Sequence, residues 1–213
     1  DLVARKPASL TFEQAASVPL AANTALQGLR DVGRIQAGQT VLINGASGGV
    51  GTYAVQIAKS FGAEVTGVCG TKNVDLVRSL GADHVVDYTQ EDFSRSGRRH
   101  DIVFDLVANR SLSALRRALT PKGTLVLSGG GGGRWIGPVG LIGRAVALSP
   151  FAGQRLAPLT EKQSTDDLDF LRGLIEAGKV TPVIDRTYSL SDAPEAIGYV
   201  YTGRTRGKVV ITV

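Results

Sequence analysis

A glycine-rich run in the first quarter of the chain has the residue types and the spacing needed to bind phosphate groups. It reads Gly45-Ala46-Ser47-Gly48-Gly49-Val50-Gly51, so Gly48 and Gly51 keep the spacing of the pattern G-x-G-x-x-G, while Ala46 replaces its first glycine. Glycines allow a tight turn and a close approach of the backbone to a ligand, and a helix start offers N–H groups without helical partners. These groups would bind the pyrophosphate of a dinucleotide. The alternative is a turn with a purely structural role.

The elements around this run are those that such a site requires. Thr40–Asn44 is a short, continuous apolar run, which predicts a buried parallel strand directly before the glycines. After the glycines, apolar residues recur at helical spacing on one face, and Gly62 ends the predicted helix. The residues of this face are Val50, Ala54, Ile57, Ala58 and Phe61. Because a strand precedes the run and a helix follows it, we interpret the run as a dinucleotide-binding turn.

The end of the second predicted strand, Glu64–Val68, indicates which dinucleotide is bound. NAD-binding sites usually place an Asp or Glu there for the ribose hydroxyls, whereas this sequence continues as Cys69-Gly70-Thr71-Lys72. Thr71 offers a hydrogen-bond donor and Lys72 a positive charge, and both suit the 2′-phosphate of NADP(H). The sequence therefore favours NADP(H), with NAD(H) as the less favoured cofactor. In the alternative interpretation, Lys72 is only an exposed lysine in the first turn of the next helix.

Strand and helix patterns alternate through most of the remaining chain. Strands separated by helices form parallel sheets through right-handed crossovers. We therefore predict an α/β fold with a doubly wound, parallel, six-stranded Rossmann sheet over residues 35–180. The further predicted strands are His84–Asp87, Asp101–Leu106, Thr124–Leu127 and Arg155–Leu159, and the further helices are Val74–Leu80, Leu112–Leu119 and Asp166–Ala177.

One stretch, Gly129–Ala152, interrupts this alternation. It begins with five consecutive glycines, Gly129 to Gly133, and continues with the apolar segment Trp135–Leu148. We expect a mobile loop followed by a segment that lines a cleft or an interface. The alternative is a plain surface loop.

The two ends of the chain have a different character. Residues 1–34 predict a helical lead-in, in which Thr11-Phe12-Glu13-Gln14 and Thr24-Ala25-Leu26-Gln27 both match the capping box of helix starts, with Pro19 between the two helices. Residues 181–213 predict a strand, a helix and a last strand. Their bounds are Val183–Leu190, Asp192–Tyr201 and Lys208–Val213. Because the chain contains no methionine, we expect it to be part of a longer protein.

The composition argues against several classes of protein. With 43% hydrophobic and 20% charged residues the chain is typical of folded globular proteins, and no apolar run is long enough for a membrane span. The net charge of +5 includes the basic run Arg95–His100, which lacks interleaved aromatics and is interpreted as a solvated loop rather than a nucleic-acid site.

The few cysteine and histidine residues limit metal and redox chemistry. A single cysteine, Cys69, favours a reducing compartment such as the cytoplasm and is interpreted as a small buried hydrophobe. Together with only two histidines, His84 and His100, it makes a tetrahedral zinc site unexpected. Neither histidine has a partner visible in the sequence, so neither is proposed as catalytic.

Several further motifs accompany the glycine-rich run. They are Ala54-Val55-Gln56-Ile57-Ala58, Leu80-Gly81-Ala82-Asp83, Asp87-Tyr88, Phe104-Asp105 and Gly207-Lys208-Val209-Val210, with Pro19 and Thr24 ahead of the first strand. Together they resemble the medium-chain dehydrogenase/reductase superfamily, and more narrowly its zinc-free NADPH:quinone oxidoreductases.

The resemblance implies a domain organisation. Members of this family have an amino-terminal GroES-like catalytic domain, a cofactor domain and a return of the chain to the first domain. This chain resembles the second and third parts, so residues 181–213 would belong with the absent catalytic domain. Leu20 stands where zinc-dependent relatives tend to place a ligating Cys or Glu, which implies a zinc-free member.

The resemblance also implies site residues. Those of the pyrophosphate turn are Ala46, Ser47, Gly48, Gly49, Val50 and Gly51. Contacts with the 2′-phosphate are implied near Thr71, Lys72 and Tyr88. The nicotinamide and its ribose would be bordered by Thr24, Val107, Ser128 and Gly129. The chain departs from the family where Ala108-Asn109 replaces a frequent Gly-Gly pair.

The function implied by the resemblance is zinc-independent hydride transfer from NADPH to a quinone or an activated enone. No catalytic residue is assigned, because solvent can protonate a reduced quinone. The alternatives are an enoyl-thioester reductase, a zinc-free alcohol or aldehyde dehydrogenase, and an NADP(H)-binding module without turnover. We expect the chain alone to bind cofactor but to have little activity. The resemblance further implies a homodimer through the cofactor domain, with Gly123–Leu159 as its candidate surface.

Overall fold

The computed structural model describes residues 3–128 and 153–213. Within these ranges, six strands of the main sheet follow one another with helices between most of them. The strands are β1 (Thr40–Asn44), β2 (Glu64–Cys69), β3 (His84–Asp87), β4 (His100–Asp105), β5 (Leu119–Leu127) and β6 (Arg155–Pro158). The helices are α1 (Phe12–Ala16), α2 (Pro19–Gln27, continued by a π-helical turn, Gly28–Val32), α3 (Gly51–Ser60), α4 (Val74–Ser79), α5 (Leu112–Arg117), α6 (Thr165–Glu176) and α7 (Ala193–Tyr201). Short 3₁₀ turns span Thr71–Asn73, Phe93–Arg95 and Leu190–Asp192.

The six strands form one parallel sheet in the order β3-β2-β1-β4-β5-β6. This order confirms the predicted doubly wound Rossmann sheet. The direction of winding reverses between β1 and β4, and a ligand in such a sheet binds outside the carboxyl ends of the strands at this switch point. In the observed register, Asn44 at the end of β1 is paired with Val68 of β2 and with Asp105 of β4. The ends of these three strands therefore lie side by side.

The sheet is buried on both faces, as its continuous apolar strands predict. Alternate residues of β1 enter different hydrophobic clusters, because successive side chains of a strand point to opposite faces. Val41 and Ile43 join the cluster that includes α2 and α3, and Leu42 joins the cluster that includes α5. All residues from Gly51 to Ala58 of α3 are buried, so this helix is enclosed well beyond the single apolar face that its spacing predicted. Each large apolar side chain buried in this way contributes about 1.5–3 kcal/mol.

The two predicted capping boxes have different outcomes. The box at Thr11 is confirmed: the Gln14 amide donates to Thr11 Oγ1 at 3.2 Å, and the Thr11 amide donates to Gln14 Oε1 at 3.0 Å. The box at Thr24 is wrong, because Thr24 lies inside α2 and its hydroxyl donates to the carbonyl of Leu20 at 2.7 Å. This helix begins at Pro19 instead, where the missing proline N–H costs nothing.

The last part of the chain forms a small sheet of its own. β7 (Ile184–Ser189) pairs in parallel with β8 (Lys208–Thr212), and α7 connects them. Several large apolar side chains of this unit are exposed, namely those of Leu190, Ile197, Val200, Tyr201, Ile211 and Val213. The assignment of residues 181–213 to another domain remains a prediction.

Two further expectations concern the middle of the chain and membranes. The interpretation of Gly129–Ala152 falls on residues 129–152, which lie outside the described ranges. None of the helices within those ranges is both long enough and apolar enough to cross a bilayer.

Candidate functional site

A cleft of about 1350 Å³ lies at the carboxyl ends of β2, β1 and β4. The glycine-rich turn forms its floor. The 3₁₀ turn Thr71–Asn73 and the residues after β3 form one side, and part of the small C-terminal sheet forms another. This is the position that the switch-point rule gives for a nucleotide.

The glycine-rich turn is fixed to the sheet by its first two amides. The N–H groups of Gly45 and Ala46 both donate to the carbonyl of Val68 in β2, at 3.1 and 3.0 Å. The later part of the turn leads into α3, whose amino end favours an anion. Several amides of this part donate no hydrogen bond to the described residues, among them those of Ser47, Val50 and Gly51. The turn is therefore held by the protein at one end and leaves donors for a ligand at the other.

The glycines of this turn serve two different purposes. A Cβ at Gly51 would lie only 2.0 Å from the carbonyl oxygen of Gly45, and Gly45 has a φ of +92°, so both glycines are required by the fold itself. A Cβ at Gly48 would meet the oxygen of Gly45 at 3.4 Å, which is an ordinary contact, and would meet nothing else within 4 Å. Gly48 lines the cleft. A side chain at this position would thus occupy ligand space without disturbing the protein, which is the fit expected for a pyrophosphate cradle.

A network of hydroxyl groups around a carboxylate lies at the ends of β2 and β3. Thr71 Oγ1 donates to Asp87 Oδ2 at 2.6 Å, and Asp87 Oδ1 accepts from the amide and the hydroxyl of Thr89, at 2.9 and 2.8 Å. The hydrogen bond from Thr71, followed by those from Thr89, lowers the pKa of the Asp87 carboxyl below its ordinary value. The prediction that no carboxylate follows β2 is correct for that strand. However, the neighbouring strand β3 brings one to the same place.

The other predicted residues of this region surround the network. Lys72 and Tyr88 are exposed and line the cleft. The Tyr88 hydroxyl packs against Gly70: a Cβ added at Gly70 would lie 3.0 Å from this hydroxyl oxygen. Asn73 Nδ2 donates to Ser47 Oγ at 3.1 Å and so connects this region with the glycine-rich turn.

A buried polar network follows β4 on the other side of the switch point. Asn44 Nδ2 donates to Asp105 Oδ1 at 2.8 Å and to Asn109 Oδ1 at 3.2 Å. The amides of Val107 and Ala108 also donate to Asp105 Oδ1, at 3.3 and 3.2 Å. Ala108 adopts a left-handed φ of +57°, a conformation that costs energy for a residue other than glycine. The fully buried Asp105 carboxylate thereby fixes the loop that lines the cleft after β4.

The C-terminal segment closes the cleft above the turn. The Gly207 amide donates to the Ser47 carbonyl at 2.9 Å, and Gly207 forms an isolated parallel bridge with Gly48. The Lys208 ammonium lies 3.8 Å from the position of a Cβ at Gly49. Burial lowers the pKa of this ammonium from its ordinary value. A partly buried cation beside a phosphate-binding turn suits an anionic ligand, which would restore the interactions that burial removes.

Among the described residues, the charged ones that line the cleft are all basic. Five basic residues line the cleft, and no aspartate or glutamate of the described ranges does. These are Lys72, Arg186, Arg204, Arg206 and Lys208. The guanidinium of Arg186 lies 4.1 Å from the ring centre of Tyr199, which holds it at the cleft wall. Such a lining suits a ligand with several negative charges.

The structure brings together most of the site residues proposed from the sequence. Those that line the cleft are Ser47, Gly48, Gly49, Val50, Gly51, Thr71, Lys72, Tyr88, Val107 and Ser128. Two others do not line it: the side chain of Ala46 is buried in the core, and Thr24 is buried within α2. Gly129 lies outside the described residues.

Sequence reasoning missed other residues of the lining. Asn44 and Asn109 could have been found, because they follow β1 and β4 at the edge where the switch-point rule places a ligand. Thr89 would have followed from its position after β3. The C-terminal wall, from Gly203 to Val209, includes part of the motif Gly207-Lys208-Val209-Val210, but that motif did not indicate a contact with the cleft, because only the tertiary fold places it over a turn that lies far away in the sequence.

The described residues provide no evident metal or thiol chemistry. They contain no group of three or more His, Cys, Asp or Glu side chains placed to hold a metal ion. Cys69 is buried, as predicted, and burial raises the pKa of its thiol to about 11, so the thiol stays protonated at neutral pH.

Comparison with known proteins agrees with this fold and site. A family model described as zinc-binding dehydrogenase matches residues 80–211. The mitochondrial NAD(P)H oxidoreductase RTN4IP1 of Mus musculus is 36% identical over 99% of this chain and 58% of its own length. The 2-methylene-furan-3-one reductase of Solanum lycopersicum is 36% identical over 99% of this chain and 49% of its own length.

A solved structure extends the comparison to three dimensions. The quinone oxidoreductase from Coxiella burnetii has a TM-score of 0.85 and 31% identity, covering 99% of this chain and 63% of that protein. This chain therefore spans about half to two thirds of the length of the proteins that it matches. The chain belongs to the zinc-binding dehydrogenase family, within the medium-chain dehydrogenase/reductase superfamily, and is similar to its quinone oxidoreductases.

Proposed function

We propose that this chain binds NADP(H) in the cleft and is the cofactor-binding portion of an oxidoreductase that acts on a quinone or an activated enone. The observation that carries the proposal is that the glycines of the glycine-rich turn are needed for two different reasons. Gly45 and Gly51 are required by the fold, whereas Gly48 lacks a side chain at a position where only a ligand would need the space. The free amides of Ser47, Val50 and Gly51 and the basic lining complete a site for a diphosphate.

The relatives support the proposed reaction class. One is named an NAD(P)H oxidoreductase, one a 2-methylene-furan-3-one reductase, and the solved structure is a quinone oxidoreductase. A nicotinamide cofactor supplies hydride chemistry, and the protein contributes binding, orientation and the exclusion of water. An enoyl-thioester reductase and an alcohol or aldehyde dehydrogenase remain alternatives within this class.

The residues of this chain would contribute binding and orientation. The turn and Lys208 would bind the pyrophosphate, and Thr71, Lys72 and Tyr88 would border the adenosine ribose. The Asp105 network would present the loop after β4, with Val107, to the nicotinamide end. No side chain of the described ranges is assigned as a proton donor, because reduction of a quinone needs none from the protein.

The domain organisation is part of the same proposal. Residues 181–213 form a separate sheet with exposed apolar side chains, which would pack with a GroES-like catalytic domain. That domain would supply most of the substrate contacts. We therefore expect the chain alone to bind cofactor without substantial turnover. A homodimer would form through the edge of the main sheet at β6.

One observation favours NAD(H) as a second candidate. The Asp87 carboxylate lies directly behind Thr71, and a carboxylate in this region usually accompanies a free ribose hydroxyl rather than a phosphate. The basic residues Lys72, Arg204 and Arg206 in the lining favour NADP(H).

Calorimetric titration of the chain with NADP⁺ and with NAD⁺ tests the proposal. We expect binding of both, with NADP⁺ the tighter ligand. Failure of both to bind would contradict the proposed site, and tighter binding of NAD⁺ would replace the first candidate by the second. Assays of the longer protein with a quinone, an enoyl thioester and an aldehyde would then distinguish the three reactions. Cofactor binding without turnover in any of them would favour a binding module.

A further inference from the structure

Two threonine hydroxyl groups beside Asp87 supply two protons, but three oxygen–oxygen contacts in this region would each need one. Three short oxygen–oxygen contacts join Thr71, Thr89 and Asp87: Thr71 to Asp87 at 2.6 Å, Thr89 to Asp87 at 2.8 Å, and Thr71 to Thr89 at 2.9 Å. Each threonine hydroxyl has one proton, and an ionised carboxylate can only accept. Both protons are therefore committed to Asp87. Thr71 lines the cleft, so toward a ligand its hydroxyl oxygen is left as an acceptor only.

This orientation is unfavourable for only one of the two cofactors. The 2′-hydroxyl of NAD(H) can donate to Thr71 or accept from it, whereas the 2′-phosphate of NADP(H) at neutral pH mainly accepts. The sequence predicted Thr71 as a donor to this phosphate, but the structure directs its proton away. The negative charge of Asp87, just behind Thr71, also opposes a phosphate.

We propose that Asp87 is a selectivity-determining residue that limits the preference of this cleft for NADP(H), by holding Thr71 as an acceptor and by placing a negative charge behind it. The proposal rests on the proposed binding of a nicotinamide dinucleotide in the cleft. Lys72 and Tyr88 attract a 2′-phosphate, and Asp87 opposes it. The strand register makes this possible, because Asp87 is paired with Cys69 just before Thr71.

The substitution Asp87→Asn isolates this effect. The backbone amide of Thr89 donates to Oδ1, so an asparagine would keep its oxygen there and place its NH₂ group against Thr71. Thr71 would then accept from this group, and its own proton would be available to Thr89 Oγ1, at 2.9 Å, or to an acceptor of a ligand in the cleft. The shape of the side chain is preserved, and the negative charge is removed.

We expect Asp87→Asn to tighten NADP⁺ binding about tenfold, which equals ~1.4 kcal/mol, and to change NAD⁺ binding less than about twofold. The measurement is titration of the purified full chain with each dinucleotide, accompanied by thermal unfolding to show that the variant is folded. Asp75→Asn is the matched control, because it makes the same change of charge on the exposed start of α4. It should leave the ratio of the two dissociation constants unchanged.

A second variant tests the part played by the hydroxyl. Thr71→Val should leave NADP⁺ binding nearly unchanged in the parent chain, where Thr71 does not donate, but should weaken it in the Asp87→Asn background. Thr71→Ser, which keeps the hydroxyl, should bind NADP⁺ as tightly as the corresponding Thr71 protein, both in the parent chain and in the Asp87→Asn variant. Asp87→Ser, which also removes the charge, should shift the ratio in the same direction as Asp87→Asn and serves if the asparagine variant does not fold.

The outcomes separate this proposal from the proposed function. If the parent chain binds neither dinucleotide, both fall together. If it binds them and Asp87→Asn leaves the ratio unchanged, or weakens NADP⁺, only the role of Asp87 is overturned. An equal shift of the ratio in Asp75→Asn would also overturn it, since general charge would then explain the effect.

Discussion

Gly48 and Gly51 lie only three positions apart in the glycine-rich turn, but replacing each by alanine should have different effects. Gly51→Ala should destabilise the fold, and Gly48→Ala should weaken cofactor binding. In Gly51→Ala the new Cβ would lie 2.0 Å from the carbonyl oxygen of Gly45 and 2.8 Å from the backbone of Ala46. Since ordinary contacts begin near 3.4 Å, the backbone must move by about 1 Å or more, and such overpacking costs about 3 kcal/mol. In Gly48→Ala the closest atom is 3.4 Å away and φ is not positive, so the stability should change by less than about 1 kcal/mol.

Gly48→Ala should therefore lower the affinity for the cofactor through direct contact with the ligand, and not through a loss of protein stability. The methyl group of Gly48→Ala would project into the cleft at the floor of the phosphate site, so we expect NADP⁺ and NAD⁺ to lose affinity together, by about a hundredfold. Unfolding in urea measures the first effect and calorimetric titration the second. Gly173→Ala, inside α6 with open space around it, is the matched control and should gain about 0.5–1 kcal/mol without any change in affinity. Normal cofactor binding by a folded Gly48→Ala variant would refute the assignment of this turn.

Further predictions concern the charges of the cleft and one buried carboxylate. Lys72→Ala should weaken NADP⁺ about tenfold and NAD⁺ less than about twofold in titrations, and equal losses would contradict a 2′-phosphate contact. Lys208→Met, which keeps the apolar stem, should instead weaken both cofactors similarly, by about tenfold, if its ammonium faces the pyrophosphate. Asp167, which accepts from Arg30 Nη2 and Gln27 Nε2 at 2.7 Å each, ties α6 to the end of α2. Its replacement by alanine should cost about 1–2 kcal/mol in urea unfolding, because two hydrogen bonds to a buried carboxylate are lost while Arg30 keeps Asp31, and should leave cofactor affinity unchanged.

The parts of the structure that were predictable are those whose signals are local. The apolar run of β1, the glycine spacing and the helical periodicity of α3 lie within 25 consecutive residues, and each is observed as expected. The failure at Thr24 shows the limit of such patterns. Its sequence matches a capping box as well as that of Thr11 does, yet Pro19 begins the helix five residues earlier, and Thr24 becomes an interior residue.

The residues missed in the cleft come from contacts between distant segments. Asp87 meets Thr71 across 16 residues because β3 lies beside β2, and the strand order predicted from the fold class would have placed them together. The C-terminal wall is different. Gly207 reaches Ser47 through a small sheet outside the main one, and no periodicity in either segment indicates that they meet.

That last contact has a consequence for how the cofactor would be held. The glycine-rich turn is held by hydrogen bonds on two sides. The amides of Gly45 and Ala46 donate to the Val68 carbonyl, and the Ser47 carbonyl accepts from the Gly207 amide. None of these bonds uses the free amides of Ser47, Val50 and Gly51. A site that is rigid before the ligand arrives loses little conformational entropy on binding. The same arrangement joins the small C-terminal sheet to the floor of the cleft. Any domain that packs against the exposed apolar side chains of this sheet would therefore be positioned, through Gly207 and Lys208, relative to the dinucleotide itself.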